Sequence, residues 1–256
     1  MSVLTYLVQR ASEAVLSDEE KRSINTSITT LRTRLTNYFG QGVSEQFQFG
    51  SSTRGTILPR KMDEGSDIDY MIVFSESGYT PQTYLDRVKR FAETNYSRSE
   101  IKQSSPTIIL ELNHIKFDLV PALKSYYAYK IVGSSGEWLD TNPNDFNETL
   151  TAKNNQELSK IKPTIRLVKF WNAKSGYIFD SYSLEKWIVG RSYGLCINQS
   201  QYLFNVFDNL NPYSIDTKWR REKVERAKRI IAAVRQYEQD GMPYSAEEEV
   251  KKLIPE

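Results

Sequence analysis

The spacing of the apolar residues changes near the middle of the chain, and this change constrains the fold more than any other feature. Before residue 133, short segments alternate apolar and polar side chains, as β-strands do. After residue 155, apolar side chains recur every three or four positions, as on amphipathic helices. The intervening segment is rich in Gly, Ser, Asn, Asp and Pro, which indicates a boundary. We therefore expect an α+β lobe over residues 1–150, a helical lobe over 151–256, and an active site in a cleft between them.

Four strands are predicted in the first lobe, over residues 43–49, 67–74, 107–112 and 115–121. Alternation places Val43, Phe47 and Phe49 on one face of the first strand. Ile68, Tyr70, Ile72 and Phe74 share one face of the second strand, and Asp67 and Asp69 share the other. Only Asn113 and His114 separate the last two strands, which predicts a hairpin with a two-residue loop.

Helix signals occur in both lobes. Ser17 and Glu20 have the spacing of a capping box, and apolar residues follow at helical spacing up to a break at Gly40. The other predicted helices are residues 81–95, a helix with Pro163 in its first turn that ends at Gly176, residues 182–191, residues 218–237, and a last turn capped by Ser245.

One histidine, His114, and one cysteine, Cys196, limit the chemistry of the chain. They exclude an internal disulfide and zinc sites built from several Cys or His ligands. The net charge of +2 predicts no strong overall attraction to nucleic acid or membrane. No stretch approaches the roughly 18 apolar residues of a membrane span, and residues 1–8 lack the basic start of a signal peptide. We expect a cytoplasmic protein without membrane partners.

Carboxylates are the strongest candidates for chemistry. Asp67 and Asp69 share one face of a strand, and Asp118 lies in a later strand among apolar neighbours. Three converging carboxylates repel one another without a cation, and two Mg²⁺ ions roughly 3.5–4 Å apart would neutralise them and suit phosphoryl-type transfer. Gly50 and Ser51 follow a strand directly, where a glycine lets phosphate approach the backbone. Alone, each motif is weak, because turns contain Gly-Ser and strand edges contain solvated Asp-x-Asp; their order and spacing form a compound signal.

These motifs resemble the signature of the DNA polymerase β-like nucleotidyltransferases, and more closely that of the cGAS/DncV-like (SMODS-type) enzymes and the related oligoadenylate synthetases. The similarity covers roughly residues 20–195 and implies a nucleotidyltransferase lobe with a mixed sheet, followed by a helical lobe. The segments that carry it are Phe49-Gly50-Ser51, Ser66-Asp67-Ile68-Asp69-Tyr70, Phe117-Asp118-Leu119-Val120-Pro121, Ile165 to Trp171 and Ser181 to Glu185.

The resemblance implies a role for each matching residue. Asp67 and Asp69 would ligate both Mg²⁺ ions, for which Mn²⁺ is an alternative. Asp118 would complete one metal site and help activate the attacking hydroxyl. The residues implied in nucleotide binding are Gly50 and Ser51 on the donor triphosphate, Lys169 and Ser181 on the phosphates, and Tyr182 stacked on the donor base.

The residues themselves support part of this assignment. Lys162, Arg166 and Lys169 fall on one helical stripe that could face an anion. Ser181 stands at a predicted helix start, where backbone N–H groups favour phosphate. Each also has a structural alternative, since Lys169 could be solvated and Tyr182 could belong to the core. Arg54 could contact phosphate, although a basic loop residue is more often solvated.

The resemblance implies a synthase that joins nucleoside triphosphates, with ATP expected among them, into a cyclic or short oligonucleotide and releases pyrophosphate. In that family the product switches on a downstream effector in antiphage defence. Two alternatives stay open: a transferase that adds one nucleotide to an RNA end, a protein or a small molecule, and a non-catalytic nucleotide-binding module. The basic segment 218–235 is interpreted as a solvated face, with a nucleic-acid activator site as its alternative.

Overall fold

The computed structural model describes residues 2–104, 106–126, 128–133 and 135–256. The described strands are β1 (Val43–Phe49), β2 (Asp67–Phe74), β3 (Glu100–Ser104), β4 (Thr107–Glu111), β5 (Lys116–Ser125), β6 (Ala128–Val132) and β7 (Trp138–Thr141). The described α-helices are α1 (Val3–Glu13), α2 (Asp18–Phe39), α3 (Ser51–Arg54), α4 (Pro81–Asn95), α5 (Asp145–Gln156), α6 (Ile161–Lys174), α7 (Ser181–Val189), α8 (Gln199–Asn209), α9 (Lys218–Gln239) and α10 (Pro243–Lys251).

The chain forms two compact units. The first, called the sheet unit, comprises Leu16–Arg60 and Glu64–Asn147. The second, called the helical unit, comprises Met1–Val15, Lys61–Asp63 and Glu148–Glu256. The chain therefore passes between units inside α5, close to the predicted boundary at 150/151. The difference from the predicted lobes is that α1 and a three-residue loop segment belong to the helical unit.

The sheet unit contains one mixed sheet. Its strands lie in the order β1-β2-β5-β4-β3, and β6 pairs with both β5 and β7. β2 and β5 are parallel, whereas the other pairs are antiparallel. Leu112 N donates to Ile115 O at 2.9 Å, so the predicted two-residue hairpin loop at Asn113 and His114 is confirmed.

The two faces of the sheet bury different apolar sets. The alternating residues of β2, from Ile68 to Phe74, pack in the larger core with residues of α2 and α4 such as Leu31 and Phe91, as the period-two pattern predicts. The opposite face carries a smaller cluster of Met71, Val73, Val120 and Ala122. The carboxylates of β2 are on this second face because they alternate with Ile68 and Tyr70.

The prediction for the first strand is wrong at one residue. Phe47 and Phe49 pack on the smaller cluster, as a shared face requires, but Val43 packs against the larger core. The cause is a register shift between Val43 and Glu45, because one extra residue in a strand reverses the alternation beyond it.

The start of α2 follows its sequence signal closely. The Ser17 hydroxyl accepts from Glu20 N at 3.1 Å, and the Glu20 carboxylate accepts from Ser17 N at 2.7 Å. Both halves of the predicted capping box are therefore present, and the helix ends before Gly40 as expected.

The helical unit gathers α1 with helices from the far end of the sequence. α1 contacts α6, α8 and α10, and Leu7 in its centre is fully buried. Tyr6 Oη donates to Ile254 O at 2.6 Å, and Arg10 donates to Pro255 O at 2.7 Å. These contacts explain why α1 is not part of the sheet unit, to which the sequence analysis assigned it.

The remaining helices confirm most of the periodic pattern. α6, α7 and α9 lie where predicted, and Val224, Ala227, Ile231 and Val234 of α9 are buried. α10 begins at Pro243 rather than after Ser245, so Ser245 is inside the helix and does not cap it. Among the described residues, no helix combines the length and apolar character needed to cross a membrane.

Candidate functional site

The three aspartates singled out in the sequence lie on two neighbouring strands. β2 and β5 are parallel and in register, with Asp69 opposite Asp118 and Asp67 opposite Lys116. Opposed residues of such a pair point to the same face of a sheet. The structure therefore brings Asp67, Asp69 and Asp118 together on the face away from the larger core.

The turn after β1 approaches this cluster closely. Gly50 has φ of +75° and lies against the carboxylate of Asp69, because a Cβ built on Gly50 would be 1.8 Å from Asp69 Oδ2. No side chain larger than hydrogen fits this position without moving Asp69. Thr53 Oγ1 donates to Gly50 O at 2.9 Å, and the short α3 starts with Ser51. The turn thus fixes Gly50 and Ser51 beside the carboxylates.

A lysine lies between two of the three aspartates. Lys116 Nζ is 3.1 Å from Asp67 Oδ2 and 3.8 Å from Asp118 Oδ1. The three side chains are 20–28% exposed, so the charges are only partly screened by water. Burial alone would lower the pKa of Lys116, but the charges of Asp67 and Asp118 outweigh burial and raise this pKa.

Asp118 is the electrostatically unusual carboxylate. Burial and the negative charge of Asp67 raise the pKa of Asp118 to about 6, against the opposing effect of Lys116. Its Oδ1 is buried and has no hydrogen-bond partner. A buried carboxylate oxygen without a partner is costly, and a cation is the partner that would offset the cost.

The donor set of this face suits a hard divalent cation. It offers carboxylate oxygens only, which are the ligands that Mg²⁺ takes from proteins. In the described part of the chain, no three His, Cys, Asp or Glu side chains are already arranged around one point as metal ligands. Two contacts keep the carboxylates out of a metal-binding arrangement: Lys116 pairs with Asp67, and Gly50 lies against Asp69. The residues fit the ion, and the side chains would have to reorient to bind it.

Arg54 is buried, unlike most basic residues in loops, which are solvated. It is 6% exposed, and its guanidinium lies 5.6 Å from the centre of the Phe146 ring. This position at the end of α3 makes Arg54 a part of the turn that carries Gly50 and Ser51. Its predicted contact with phosphate stays a prediction.

Lys169 has a partner within the helical unit that the sequence analysis did not foresee. Its Nζ donates to Glu185 Oε1 at 3.0 Å, and the two side chains are 8% and 1% exposed. The pair links α6 to α7. Lys169 is therefore neither solvated nor aligned with an exposed cationic stripe, while Arg166 on the same helix is partly buried, which lowers the pKa of its guanidinium.

Ser181 and Tyr182 form the first turn of α7. Ser181 is the first helical residue, as predicted, and Asp180 caps the helix by accepting from Ser183 N at 2.8 Å. Tyr182 is 42% exposed, with Lys186 Nζ 5.5 Å from its ring centre. Tyr182 is thus not a core residue, and part of its ring is accessible for stacking.

Sequence reasoning missed Lys116 and Glu185 as members of these clusters. Period two places Lys116 on the face of Asp118, but the sequence analysis did not infer its contact with the aspartates. Glu185 gave no such signal, since a glutamate in a helix is usually exposed and the burial of Glu185 depends on how α6 packs on α7.

A family model, a relative and solved structures match this chain. The model of the family described as "Second Messenger Oligonucleotide or Dinucleotide Synthetase domain" matches residues 1–154. A probable cyclic nucleotide synthase of Bacillus cereus strain VD146 is 28% identical over 183 residues. That alignment covers 55% of this chain and 54% of the relative, so the chain spans about half the length of that protein.

Solved structures share the fold at low identity. Vibrio cholerae DncV cyclic AMP-GMP synthase, in complex with the linear intermediate pppA(3′,5′)pG, has a TM-score of 0.81 at 10% identity, over 99% of this chain and 95% of that one. CdnC of Escherichia coli MS115-1 with ATP has a TM-score of 0.73 at 14% identity, over 100% and 98% of the chains. The predicted α+β fold with a nucleotidyltransferase lobe and a helical lobe is confirmed.

Proposed function

Because the chain belongs to the family of Second Messenger Oligonucleotide or Dinucleotide Synthetase domains, we propose that it is a Mg²⁺-dependent nucleotidyltransferase. It joins nucleoside triphosphates, ATP among them, into a cyclic di- or trinucleotide or a short oligonucleotide and releases pyrophosphate. The observation that carries this proposal is the pairing of Asp69 with Asp118 on β2 and β5, with Asp67 on the same face and Gly50 beside it.

Asp67, Asp69 and Asp118 are the residues that would hold the divalent ions. Mg²⁺ bound there would lower the pKa of the attacking hydroxyl and neutralise charge on the leaving pyrophosphate. Asp118 has a further role of its own. It would complete one metal site and help activate the attacking hydroxyl, and the raised pKa of about 6 belongs to the metal-free protein, because a bound cation would favour the ionised carboxylate.

The turn after β1 would receive the donor triphosphate. Gly50 leaves the backbone bare at the point nearest Asp69, and the Ser51 hydroxyl would donate to a phosphate oxygen. In the helical unit, Ser181 would donate to phosphate and Tyr182 would stack on the donor base. Lys169 would contact phosphate only by sharing its ammonium with Glu185, which already accepts from it.

Two partner classes belong to the proposal. The product would act on a downstream effector, in keeping with a role in antiphage defence. A nucleic-acid activator would find its site on the basic face of α9, although part of that face is occupied internally: Arg235 pairs with Asp208 at 2.6 Å, and Lys228 donates to the carbonyl of Asp208. The remaining cations of α9 support the activator role less strongly than the aspartates support catalysis.

Product analysis tests the proposal. The protein is incubated with Mg²⁺ and an equimolar mixture of nucleoside triphosphates, and products are identified by mass spectrometry beside a pyrophosphate assay. We expect cyclic or short linear oligonucleotides and pyrophosphate in matching amounts. Asp67→Ala combined with Asp69→Ala should abolish both. Persistence of activity in this double variant would contradict the assigned roles.

The acid cluster is equally compatible with a transferase that uses a separate acceptor. Labelled triphosphate alone separates the two reactions, because a synthase needs no other substrate. A di- or trinucleotide product supports the synthase. No product without an added RNA, protein or small molecule supports the separate transferase, and nucleotide binding that is independent of Mg²⁺ without turnover supports a binding module.

A further inference from the structure

Lys116 occupies the position between Asp67 and Asp118 in which a cation is needed. Its ammonium is 3.1 Å from Asp67 Oδ2 and 3.8 Å from Asp118 Oδ1. The second distance is too long for a hydrogen bond, so Asp118 Oδ1 receives charge compensation from Lys116 but no bonded partner. One monovalent group thus partly neutralises two carboxylates.

A further carboxylate, that of Glu111, lies next to the Lys116 side chain. Lys116 lies opposite Glu111 of β4 in the antiparallel register, so the two side chains are neighbours on one face. Glu111 is 31% exposed and pairs with Arg60 at 2.6 Å. A lysine side chain is long and flexible, and the 20% exposure of Lys116 shows that solvent reaches it. Movement from Asp67 towards Glu111 therefore requires no change in the strands.

We propose that Lys116 is a built-in competitor of the divalent cation for Asp67 and Asp118. In the nucleotide-free protein the ammonium holds the two carboxylates together, and a divalent ion binds them only after Lys116 turns away. Lys116 thereby lowers the metal affinity of the free protein and links metal loading to the arrival of nucleotide, whose phosphates supply further ligands for the ion. The inference rests on the proposed role of the aspartates as metal ligands and makes Lys116 a positioning residue.

The test is Mn²⁺ binding to nucleotide-free protein, measured by isothermal titration calorimetry, with Mn²⁺ as the probe for the Mg²⁺ site. Lys116→Met removes the charge and keeps the length of the side chain, so we expect about tenfold tighter binding than in the unsubstituted chain. Lys116→Gln should also tighten Mn²⁺ binding, and it controls for any effect of the methionine sulfur in Lys116→Met. Lys116→Arg should bind no more tightly than the unsubstituted chain because the charge remains.

Lys124→Met is the matched control. Lys124 lies on the same strand and pairs with Glu45 at 2.5 Å, on a surface where it is 63% exposed. This substitution removes the same charge from β5 and should leave Mn²⁺ affinity unchanged. Unchanged or weaker binding in both Lys116→Met and Lys116→Gln would overturn the proposal, as would an equal gain in Lys124→Met.

A further variant separates this inference from the proposed function. Asp67→Asn combined with Asp69→Asn should abolish Mn²⁺ binding to the free protein. If that double variant binds Mn²⁺ normally, the aspartates are not the metal ligands, and the metal assignment fails together with the competitor role. If it loses binding while the Lys116 variants are unaltered, only the competitor role fails.

Discussion

At the scale of single residues, Gly50 links the backbone of the turn to the chemistry of β2. The residue combines φ of +75° and ψ of −151°, a conformation that is essentially restricted to glycine, with direct proximity to Asp69. Each feature by itself excludes a residue with a Cβ at this position. Gly50 therefore differs from a glycine that only permits a turn, because it also lies against the Asp69 carboxylate.

Gly50→Ala should reduce synthesis at least a hundredfold. The new Cβ would lie 1.8 Å from Asp69 Oδ2 and 3.1 Å from Asp69 Cβ, so the carboxylate has to leave its position. The backbone strain adds on the order of 1–3 kcal/mol. Product formation under saturating triphosphate and Mg²⁺ measures the effect.

Gly55→Ala, at the other end of α3, is the control for substitution of a glycine with positive φ, although its left-handed helical conformation is less strained than that of Gly50. Gly55 also has positive φ, +71°, but no atom lies within 4 Å of a Cβ built on it. Its substitution should lower the melting temperature with much less loss of activity. Equal loss in both variants would mean that the proximity of Gly50 to Asp69 is irrelevant.

Asp118 should destabilise the metal-free protein at neutral pH. Its pKa rises from the ordinary 3.8 to about 6 in the folded state, so the folded state binds the proton more tightly than the unfolded state. The free energy of unfolding therefore falls as pH rises from about 4 to 6 and stays lowered above that range. Asp118→Asn removes this effect and should raise stability by on the order of 2 kcal/mol at pH 7, with no gain near pH 3.5.

Denaturant unfolding in EDTA at several pH values measures the difference between the two proteins. Added Mg²⁺ should stabilise the unsubstituted chain more than Asp118→Asn, which keeps Asp67 and Asp69 but lacks one ligand, while the variant loses activity. A gain in stability that is the same at pH 3.5 and pH 7 would contradict an origin in the ionisation of Asp118.

At the scale of elements, the capping box of α2 should stabilise the sheet unit measurably. Ser17→Ala removes the acceptor of Glu20 N and should lower the free energy of unfolding by about 1 kcal/mol. Thr217→Ala is a suitable comparison, because Thr217 precedes α9 without a side-chain capping bond. Chemical denaturation should show a smaller change for Thr217→Ala, and equal changes would show that the Ser17 cap contributes nothing specific.

The ion pair between α6 and α7 can be tested with variants that distinguish its effect on the free energy of unfolding from its effect on triphosphate binding. Lys169 and Glu185 are almost fully buried, so Glu185→Leu alone leaves an uncompensated charge and should lower the free energy of unfolding by about 3 kcal/mol or more. Lys169→Met combined with Glu185→Leu removes both charges and should restore most of that loss. If Lys169 contacts phosphate, the double variant should still show a raised KM for triphosphate.

A normal KM in the stable double variant would assign the pair a purely structural role. A double variant as unstable as Glu185→Leu would instead show that apolar side chains cannot replace the pair, which would contradict the expected recovery. Both quantities come from denaturation and steady-state kinetics on the same preparations.

The sequence correctly predicted the elements that depend only on residues close together in the chain. The capping box of α2, the apolar alternation of β2 and the two-residue hairpin loop each depend on residues a few positions apart, and all three are confirmed. The shift between Val43 and Glu45 could not be predicted, because it arises from pairing with Phe74 and Val73 on another strand. The start of α10 was misplaced because Pro243, a favourable first-turn residue, outweighs the cap spacing at Ser245.

In the candidate site too, some features follow from residue spacing and others depend on packing between elements. Period two was sufficient to place Asp67 and Asp69 on one face, whereas the position of Asp118 beside them depends on the parallel pairing of β2 with β5. The engagement of Lys169 by Glu185 depends on the packing of two helices, and no spacing in the sequence expresses it. The candidate metal ligands and the face of Lys116 were therefore predictable from the sequence, whereas the contact between Lys169 and Glu185 was not.

At the scale of the whole molecule, the helical unit depends on residues from both ends of the chain. α1 packs on α6, α8 and α10, and its Tyr6 and Arg10 donate to the carbonyls of Ile254 and Pro255. These two hydrogen bonds join residues 248 and 245 positions apart in sequence. The N-terminal segment therefore contributes to the stability of the unit that carries Lys169, Ser181 and Tyr182.

Leu7→Ala should expose this dependence. Leu7 is fully buried in the helical unit, and its truncation should cost about 2–5 kcal/mol through lost burial and the cavity left behind. Native-state hydrogen exchange should then show faster exchange of amides in α6, α8 and α10, because these helices contact α1 directly. Val8→Ala, at a neighbouring position that is 48% exposed, should change exchange little. Equal effects of the two substitutions, or unchanged protection of α6, α8 and α10 in Leu7→Ala, would show that α1 can detach without consequence for the helices it packs on.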